Sequence, residues 1–395
     1  MDKKRLEKLG LGNLFLALFY VTVIFALLWF IRLSINEGLK NVFRSHWASL
    51  LGIFFIEYII FWTGIILVYI YSKQLGIKYR VIGLLTGLIP VVNFIVLGII
   101  ITITFQEYFF EKKKNRLNLS REKLEICKTK YPILFVHGVF FRDSKRFNYW
   151  GRIPSELEKN GATCFYGEHQ SASSVKESAI ELANRIRKIV EVYGCEKVNV
   201  IAHSKGGLDI KYAIAKLGMN EYIASLTTIN TPHKGCEFAD YLLTNAPVPL
   251  KNRIAASYNT ALKKLGDHEP SFIDSVTDLT AAGCKAISDE IDNYDFKANG
   301  VYTQSVGSVM KKATSGTFPL NVSYHLVKHF DGRNDGLVGE NSFKFGEKYI
   351  FIENQQSKRG ISHGDMIDLC RENIKGFDVR EFYVQLVADL KNRGL

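Results

Sequence analysis

The chain has 395 residues, of which 47% are hydrophobic, 23% are charged and 8 are proline, a composition that excludes a disordered or collagen-like protein. This length allows two or three domains and a large hydrophobic core. The net charge of +12 comes mostly from residues 1–130, which hold 18 Lys and Arg against 8 Asp and Glu. Since these charges flank long apolar runs, we expect a lipid bilayer as the partner and no nucleic acid.

Three apolar segments near the start of the chain predict a transmembrane anchor over residues 1–105. The segments are 11–31, 49–71 and 81–105, and each reaches the roughly 20 residues that cross a bilayer. Pro90 predicts a kink in the third segment. Residues 106–130 are rich in Lys and Arg and predict a basic juxtamembrane linker, so we expect a multi-pass protein of the cell membrane.

Three crossings predict that the start of the chain and residues 72–80 lie on one side of the membrane. Residues 32–48 and the C-terminal domain are then expected on the other side. Seven cations flank the first side and nine the second. By the positive-inside rule this difference favours, by a small margin, a cytoplasmic C-terminal domain.

The six cysteines are widely spaced and contain no C-x-x-C pair, which disfavours a zinc site and a dense disulfide framework. Free thiols are the expected state. They lie at Cys127, Cys164, Cys195, Cys236, Cys284 and Cys370.

Residues 131–395 alternate between short apolar runs and amphipathic segments. Strands are predicted at 133–136, 162–166, 197–201 and 223–229, and helices at 150–160, 175–193 and 207–217. This alternation predicts an α/β fold with a mostly parallel sheet flanked by helices.

The sequence Ala202-His203-Ser204-Lys205-Gly206 lies between a predicted strand and a predicted helix. It matches the G-x-S-x-G nucleophile elbow with Ala at the first position. A serine on such a sharp turn is presented at the carboxyl edge of the sheet, and small neighbours relieve the crowding of the turn. Ser204 is therefore the predicted nucleophile. The residues alone give the Lys205 side chain no role, and it could point to solvent.

A nucleophilic serine of this type needs an acid and then a base later in the chain. Asp335, in the run Asn334-Asp335-Gly336, is the predicted acid, and His363, in Ser362-His363-Gly364, is the predicted base. Asp331 is the alternative acid. His325 and His329 are alternative bases, and both are expected to flank a strand.

The loop after the first strand, His137-Gly138-Val139, is placed to complete an oxyanion hole. We predict the backbone N–H groups of Lys205 and Val139 as its two donors. His137 is expected to orient this loop rather than transfer a proton.

These motifs resemble the bacterial triacylglycerol lipases of the α/β-hydrolase superfamily, the group typified by Pseudomonas and Bacillus enzymes. The matching pieces occur in family order and are PILFVHG at 132–138, KVNVIAHSKGG at 197–207, TPHKG at 231–235, ADYL at 239–242, NDGLV at 334–338 and SHGD at 362–365. The resemblance implies an α/β-hydrolase fold, the triad Ser204, Asp335 and His363, and oxyanion donors at Val139 and Lys205. It also implies a cap or lid over the acyl pocket, which would fall at residues 236–300.

The chain departs from this family in three ways. Asp365 matches a carboxylate that binds a structural calcium ion in the Pseudomonas-type enzymes, but residues 301–330 contain no Asp or Glu to partner it. We therefore expect no cofactor or metal, with calcium at Asp365 as the alternative. The family disulfide has no counterpart, because Asn341 lies near the expected cysteine. The apolar N-terminal segments are also foreign to those secreted enzymes.

Together these features predict a membrane-anchored serine hydrolase that cleaves carboxylic esters of lipids or other acyl esters through an acyl-enzyme. An acyltransferase or thioesterase with the same triad is the alternative enzyme. A membrane-tethered binding module without catalytic activity is the alternative outside enzymes. The sequence leaves the acyl chain, the head group, lid motion and the oligomeric state open.

Overall fold

A computed structural model describes residues 2–87, 89–139, 148–245, 247–265, 270–291 and 293–395. The chain divides into two compact units, Met1–Ser120 and Arg121–Leu395.

The first unit is helical. Its helices are α1 (Asp2–Glu37), α2 (Leu39–Ser45), α3 (Trp47–Tyr71), α4 (Gly76–Thr86) and α5 (Pro90–Arg121). Three stretches within the described residues are long and apolar enough to cross a membrane: Lys3–Glu37, Trp47–Tyr71 and Val91–Leu124.

The third stretch differs from the predicted segment 81–105. Helix α4 ends at Thr86, and a separate helix, α5, begins at Pro90. Proline lacks a backbone N–H and its ring clashes with the preceding turn, so a helix readily starts at Pro90 but does not pass through it. The predicted kink is therefore a complete break. Helix α5 then continues as far as Arg121, through much of the stretch that was predicted to be a linker.

Contacts between these helices fix their directions. The Leu16 side chain of α1 packs at Gly64 of α3, and Phe19 of α1 packs on Phe61 of α3 with 5.1 Å between ring centroids. These pairs make α1 and α3 antiparallel. Helix α1 is antiparallel to α5 as well, because Asn13 Nδ2 donates to the Thr104 carbonyl (3.1 Å) while Tyr20 stacks on Phe94 with 4.0 Å between ring centroids. Helices α3 and α5 therefore run parallel to each other.

The buried carboxylate of Glu107 joins three helix ends at one end of this unit. It accepts hydrogen bonds from Arg5 Nη1 (2.8 Å), Ser72 Oγ (2.6 Å) and the backbone N–H groups of Lys73 (3.0 Å) and Gln74 (3.1 Å). The Arg5 end of α1 and residue 107 of α5 thus lie together, and the expectation that they lie at opposite ends is wrong.

Helix α4 explains this difference. It starts near Ser72, where Arg80 Nη2 donates to the Ser72 carbonyl (2.6 Å). Further along α4, Gly83 lies against Tyr69 of α3 and Ile100 of α5. Helix α4 therefore runs back along the bundle between the two parallel helices, a return that three simple crossings do not contain.

The second unit is built on a parallel sheet. Its described strands are β1 (Ile133–Val136), β2 (Cys164–Tyr166), β3 (Val198–His203), β4 (Ile223–Ile229), β5 (Tyr302–Ser308) and β6 (Lys348–Ile352). Their order across the sheet is β2-β1-β3-β4-β5-β6, and each pairing is parallel. Strands β1, β3 and β4 are buried along their whole lengths, as is typical of parallel strands covered on both faces, and β1 reads as a continuous apolar run in the sequence.

Side chains that alternate along the strands form a core on each face of the sheet. Ile133 and Phe135 of β1 belong to one core, which also contains residues of α6 (Ile153–Glu158) and α14 (Val379–Asn392). Leu134 and Val136 belong to the other core. That core is completed by α7 (Val175–Tyr193), which has a Ser174 capping box, and by α8 (Lys205–Lys216).

In the described part of the chain, four helices lie between β4 and β5: α9 (Glu237–Asn245), α10 (Val248–Leu265), α11 (Phe272–Thr277) and α12 (Ala281–Glu290). They occupy the predicted cap at 236–300, and its role as a lid stays a prediction. One further helix, α13 (Leu320–Asp331), precedes β6.

Candidate active site

The predicted nucleophile lies between β3 and α8. Ser204 has φ 55° and ψ −131°, a strained conformation for a residue with a side chain. Its N–H donates to the Ile229 carbonyl of the neighbouring strand (2.9 Å), which holds the turn against the sheet. Gly206 lies against the His137 carbonyl and Gly207 against the Thr231 side chain. A Cβ atom would clash at both positions, and the small residue at 206 is the one that the elbow motif requires.

The predicted acid and base are in direct contact. His363 Nδ1 lies 2.6 Å from Asp335 Oδ2, and the His363 N–H donates to the Asp335 carbonyl at 2.8 Å. The other carboxylate oxygen, Oδ1, accepts the N–H groups of Leu337 (2.9 Å) and Val338 (2.8 Å). Asp335 is buried, and these bonds fix its orientation toward the histidine.

His363 also lies beside the nucleophile elbow. Its ring centroid is 4.3 Å from that of His203, the residue immediately before Ser204. Burial, with a smaller contribution from His363, lowers the pKa of His203 well below its ordinary value. The His203 imidazole is therefore a weaker proton acceptor than an ordinary histidine. The elbow and the Asp335–His363 pair come together as predicted, while the catalytic roles of these residues stay predictions.

Sequence reasoning missed Asn230, which follows β4 and has φ 47°. Its Nδ2 donates to Asp335 Oδ2 (2.6 Å) and to Ser308 Oγ (2.8 Å). The signal that could have found it is its position at the carboxyl end of a central strand, the edge where parallel strands collect functional residues.

A tyrosine links the predicted oxyanion loop to the elbow. Tyr149 Oη accepts the Gly138 N–H (3.1 Å) and lies 2.7 Å from His203 Nδ1, to which it can donate. A Cβ atom at position 138 would lie 2.7 Å from the Ser204 Cβ, so Gly138 allows the loop to approach the nucleophile. Val139, the predicted second oxyanion donor, is buried next to this contact.

The Lys205 side chain does not point to solvent. It is 2% exposed, and its Nζ donates to Asp209 Oδ1 (2.7 Å) and Ser178 Oγ (2.9 Å). The sequence showed the i, i+4 spacing of this pair but not its burial.

The alternative acid and bases have other surroundings. Asp331 Oδ1 accepts the N–H of Glu237 (3.0 Å) and Asp331 Oδ2 that of Phe238 (3.2 Å), so this carboxylate caps α9. His325 and His329 were expected to flank a strand, but both lie on the exposed face of α13. The helical spacing of Leu320, Tyr324 and Val327, which are buried, explains the difference.

The surroundings of Asp365 do not fit a calcium ion. Its Oδ1 lies 3.0 Å from Arg359 Nη2, and its Oδ2 accepts the Ser362 N–H at 2.8 Å. The guanidinium already balances the carboxylate charge that a cation would use, and calcium prefers several oxygen ligands. Among the described residues, no group of three or more His, Cys, Asp or Glu could hold a metal ion.

The six cysteines are free thiols. Burial raises the pKa of Cys127, Cys236 and Cys284 to about 12 in each case. Since the thiolate is the reactive form, these three side chains are inert packing groups rather than competing nucleophiles.

Comparison with known proteins identifies relatives of the second unit. Residues 165–278 match a family described as "Putative serine esterase (DUF676)". The chain is 33% identical over 138 residues to a triacylglycerol lipase of Pseudarthrobacter phenanthrenivorans. These residues cover 33% of this chain and 43% of that protein. The chain thus spans about two fifths of the length of the first curated relatives it matches.

Two further comparisons extend over most of the second unit. The fold is similar to the crystal structure of a metagenomic carboxyl esterase, with a TM-score of 0.50 and 12% identity over 67% of this chain and 76% of that one. The α/β-hydrolase fold predicted from the motifs is thereby confirmed. Triacylglycerol lipase 2 of Saccharomyces cerevisiae is 37% identical over 261 residues, which cover 62% of this chain and 74% of that protein. By this match the chain belongs to the triacylglycerol lipase family of serine hydrolases.

Proposed function

We propose that this protein is a membrane-anchored serine hydrolase that cleaves lipid or other acyl esters through Ser204, Asp335 and His363. The observation that carries the proposal is the 2.6 Å contact between Asp335 and His363, beside a serine on a strained strand-to-helix turn. Family membership supports the same class of chemistry.

In the first half-reaction the Ser204 hydroxyl attacks the ester carbonyl carbon, and its proton passes to His363 Nε2. Asp335 holds the Nδ1 proton and stabilises the imidazolium. The carbonyl oxygen becomes an oxyanion that accepts hydrogen bonds from the backbone N–H groups of Lys205 and Val139. Collapse of this intermediate breaks the ester C–O bond, and His363 returns the proton to the departing alcohol.

In the second half-reaction His363 takes a proton from water, which attacks the acyl carbon on Ser204. The second oxyanion collapses, the acid leaves, and Ser204 recovers its proton from His363. The residues require no metal or cofactor for these steps.

The apolar helices of the first unit would keep the enzyme at a bilayer, where ester lipids are concentrated.

We propose that the start of α1 and the end of α5 both face the cytoplasm. The Arg5–Glu107 contact shows that the start of α1 and the C-terminal half of α5 lie at the same end of the bundle. Eleven cations of the first unit belong to that end, whereas Arg32, Lys40 and Arg44 belong to the other. The eleven are Lys3, Lys4, Arg5, Lys8, Lys73, Lys78, Arg80, Lys112, Lys113, Lys114 and Arg116. By the positive-inside rule this asymmetry supports a cytoplasmic location for the cation-rich end.

The proposed activity is tested by hydrolysis of p-nitrophenyl esters from short to long acyl chains by the detergent-solubilised full-length protein. We expect Ser204→Ala and His363→Ala each to lower kcat by at least 10³-fold, because triad members act as a unit. Lys285→Ala, which removes an exposed ion pair with Asp289, is the matched control and should keep wild-type kcat.

Three outcomes separate this proposal from its rivals. Turnover that survives in both triad variants contradicts the assigned site. Faster acyl release with added glycerol, accompanied by a new ester product, identifies an acyltransferase. A folded wild-type protein that neither hydrolyses esters nor reacts with a fluorophosphonate overturns the hydrolase and favours a binding module.

A further inference from the structure

Directly behind the elbow lies a buried charged pair that the reaction scheme does not use. Lys205 and Asp209 are 2% and 1% exposed and lie one turn apart at the start of α8. Removing two charges from water is costly, and a well-packed apolar pair at such a site is often equally stable. Apolar side chains at these two positions would give the protein similar stability, so stability alone does not explain the charged pair.

One side of the pair fixes the first turn of α8. The Lys205 ammonium contacts Asp209 on its own helix and Ser178 on α7, at 2.7 and 2.9 Å. Lys205 is the first residue of α8, where a backbone N–H has no partner within the helix. Anchoring its side chain at two points therefore fixes the direction of the N–H that the proposed reaction uses as an oxyanion donor.

The other side of the pair reaches the oxyanion loop. Asp209 Oδ2 makes no hydrogen bond among the described residues, but it lies 3.9 Å from His169 Nε2. The His169 ring stacks on that of His137 with 3.9 Å between centroids, and His137 Nε2 can donate to the His169 carbonyl (3.2 Å). His137 immediately precedes Gly138 and Val139, which bear the second proposed donor.

We propose that Asp209 is a positioning residue for the oxyanion hole: it orients the Lys205 N–H through the ammonium, and the Val139 segment through His169 and His137. This inference rests on the proposed function. Burial raises the pKa of the Asp209 carboxyl to about 7, against the opposing effect of Lys205. Its charged form therefore depends on the lysine, and the two side chains act as one unit.

The test compares Asp209→Asn and the double variant Lys205→Met/Asp209→Leu with the wild type. The double variant removes both charges and so leaves no unpaired buried ion. We expect kcat to fall 10- to 100-fold in both variants, because a misdirected donor loses part of the oxyanion stabilisation. KM should change less than threefold. The affinity for an alkyl trifluoromethyl ketone, which forms an oxyanion on the serine, should fall by the same factor as kcat.

Glu381→Gln is the matched control. Glu381 lies on α14, and the substitution weakens its 2.6 Å ion pair with Arg121. It should keep wild-type kcat and ketone affinity. Near-UV circular dichroism establishes that each variant is folded. A folded double variant with kcat and ketone affinity within twofold of wild type overturns the positioning role. A wild type without turnover on any ester instead overturns the proposed function itself.

Discussion

At the scale of single residues, the Asp335 carboxylate illustrates how the site is fixed. Four donors among the described residues bind it, and two of them, His363 Nδ1 and Asn230 Nδ2, meet at one oxygen at 2.6 Å each. Asn230 keeps a φ of 47°, a conformation that asparagine tolerates better than most residues. The Asn230 amide is therefore placed to hold the Asp335 carboxylate in line with His363.

We predict that Asn230→Gly lowers kcat about tenfold or more and leaves KM unchanged. A hydrogen bond to a charged group contributes about 1.5–3 kcal/mol, and about 1.4 kcal/mol corresponds to a tenfold rate. Glycine keeps the backbone conformation, so the decrease in kcat measures the contribution of the side-chain amide alone. Steady-state kinetics on a p-nitrophenyl ester measures it, and full kcat in the folded variant contradicts the role.

Asn230→Ala serves as the comparison, because it removes the same amide but adds strain at a positive φ. It should lose the same activity and, in addition, thermal stability.

At the scale of elements, an ion pair joins the start of α6 to the segment after His363. Asp368 accepts hydrogen bonds from the Arg152 backbone N–H (2.8 Å), Nε (2.7 Å) and Nη2 (2.7 Å). The pair is 14% and 1% exposed, so little solvent screens it. It holds the base-bearing segment to the part of the chain that follows the oxyanion loop.

We predict that Asp368→Asn lowers the thermal unfolding midpoint of the detergent-solubilised protein by roughly 6–20 °C. Asparagine carries no charge to pair with the guanidinium; breaking a buried ion pair in this way costs roughly 3–5 kcal/mol, and each kcal/mol shifts the midpoint of a unit of this size by about 2–4 °C. Asparagine tolerates the φ of 56° at this position, so backbone strain adds little.

Glu290→Gln is the control for this experiment. Its pair with Lys176 is exposed, and such pairs contribute about 0–1 kcal/mol. Tryptophan fluorescence follows both transitions, and equal midpoints in the two variants would show that the Asp368 contact does not stabilise the unit.

At the scale of the whole molecule, the sequence predicts what local patterns encode. Strand β1 is a short apolar run, β4 is rich in β-branched residues, and the elbow is a contiguous motif, so all three are visible without coordinates. Asn230 and Asp209 were missed because their partners are brought together only by the folded sheet. The helix directions were also missed: hydropathy detects long spans, whereas α4 is an 11-residue helix containing Lys78 and Arg80.

The direction of these helices gives a prediction for the intact protein in cells. We expect Lys4→Cys and Ser120→Cys to be equally protected from a membrane-impermeant maleimide, and Asn41→Cys to be labelled. All three positions are exposed in the structure, and the first two belong to the cation-rich end. Labelling of intact and permeabilised bacterial cells measures this. Opposite behaviour of Lys4→Cys and Ser120→Cys contradicts the same-end arrangement.

The Glu107 junction has a consequence for biogenesis. If the start of α1 and the end of α5 both face the cytoplasm, as proposed, the connection between α1 and α3, which carries Lys40 and Arg44, is the charged segment that the cell has to translocate. The hydrolase unit then folds in the compartment where it is synthesised and needs no export in an unfolded state. In a reducing cytoplasm its six thiols stay free, and assembly needs no oxidant or isomerase.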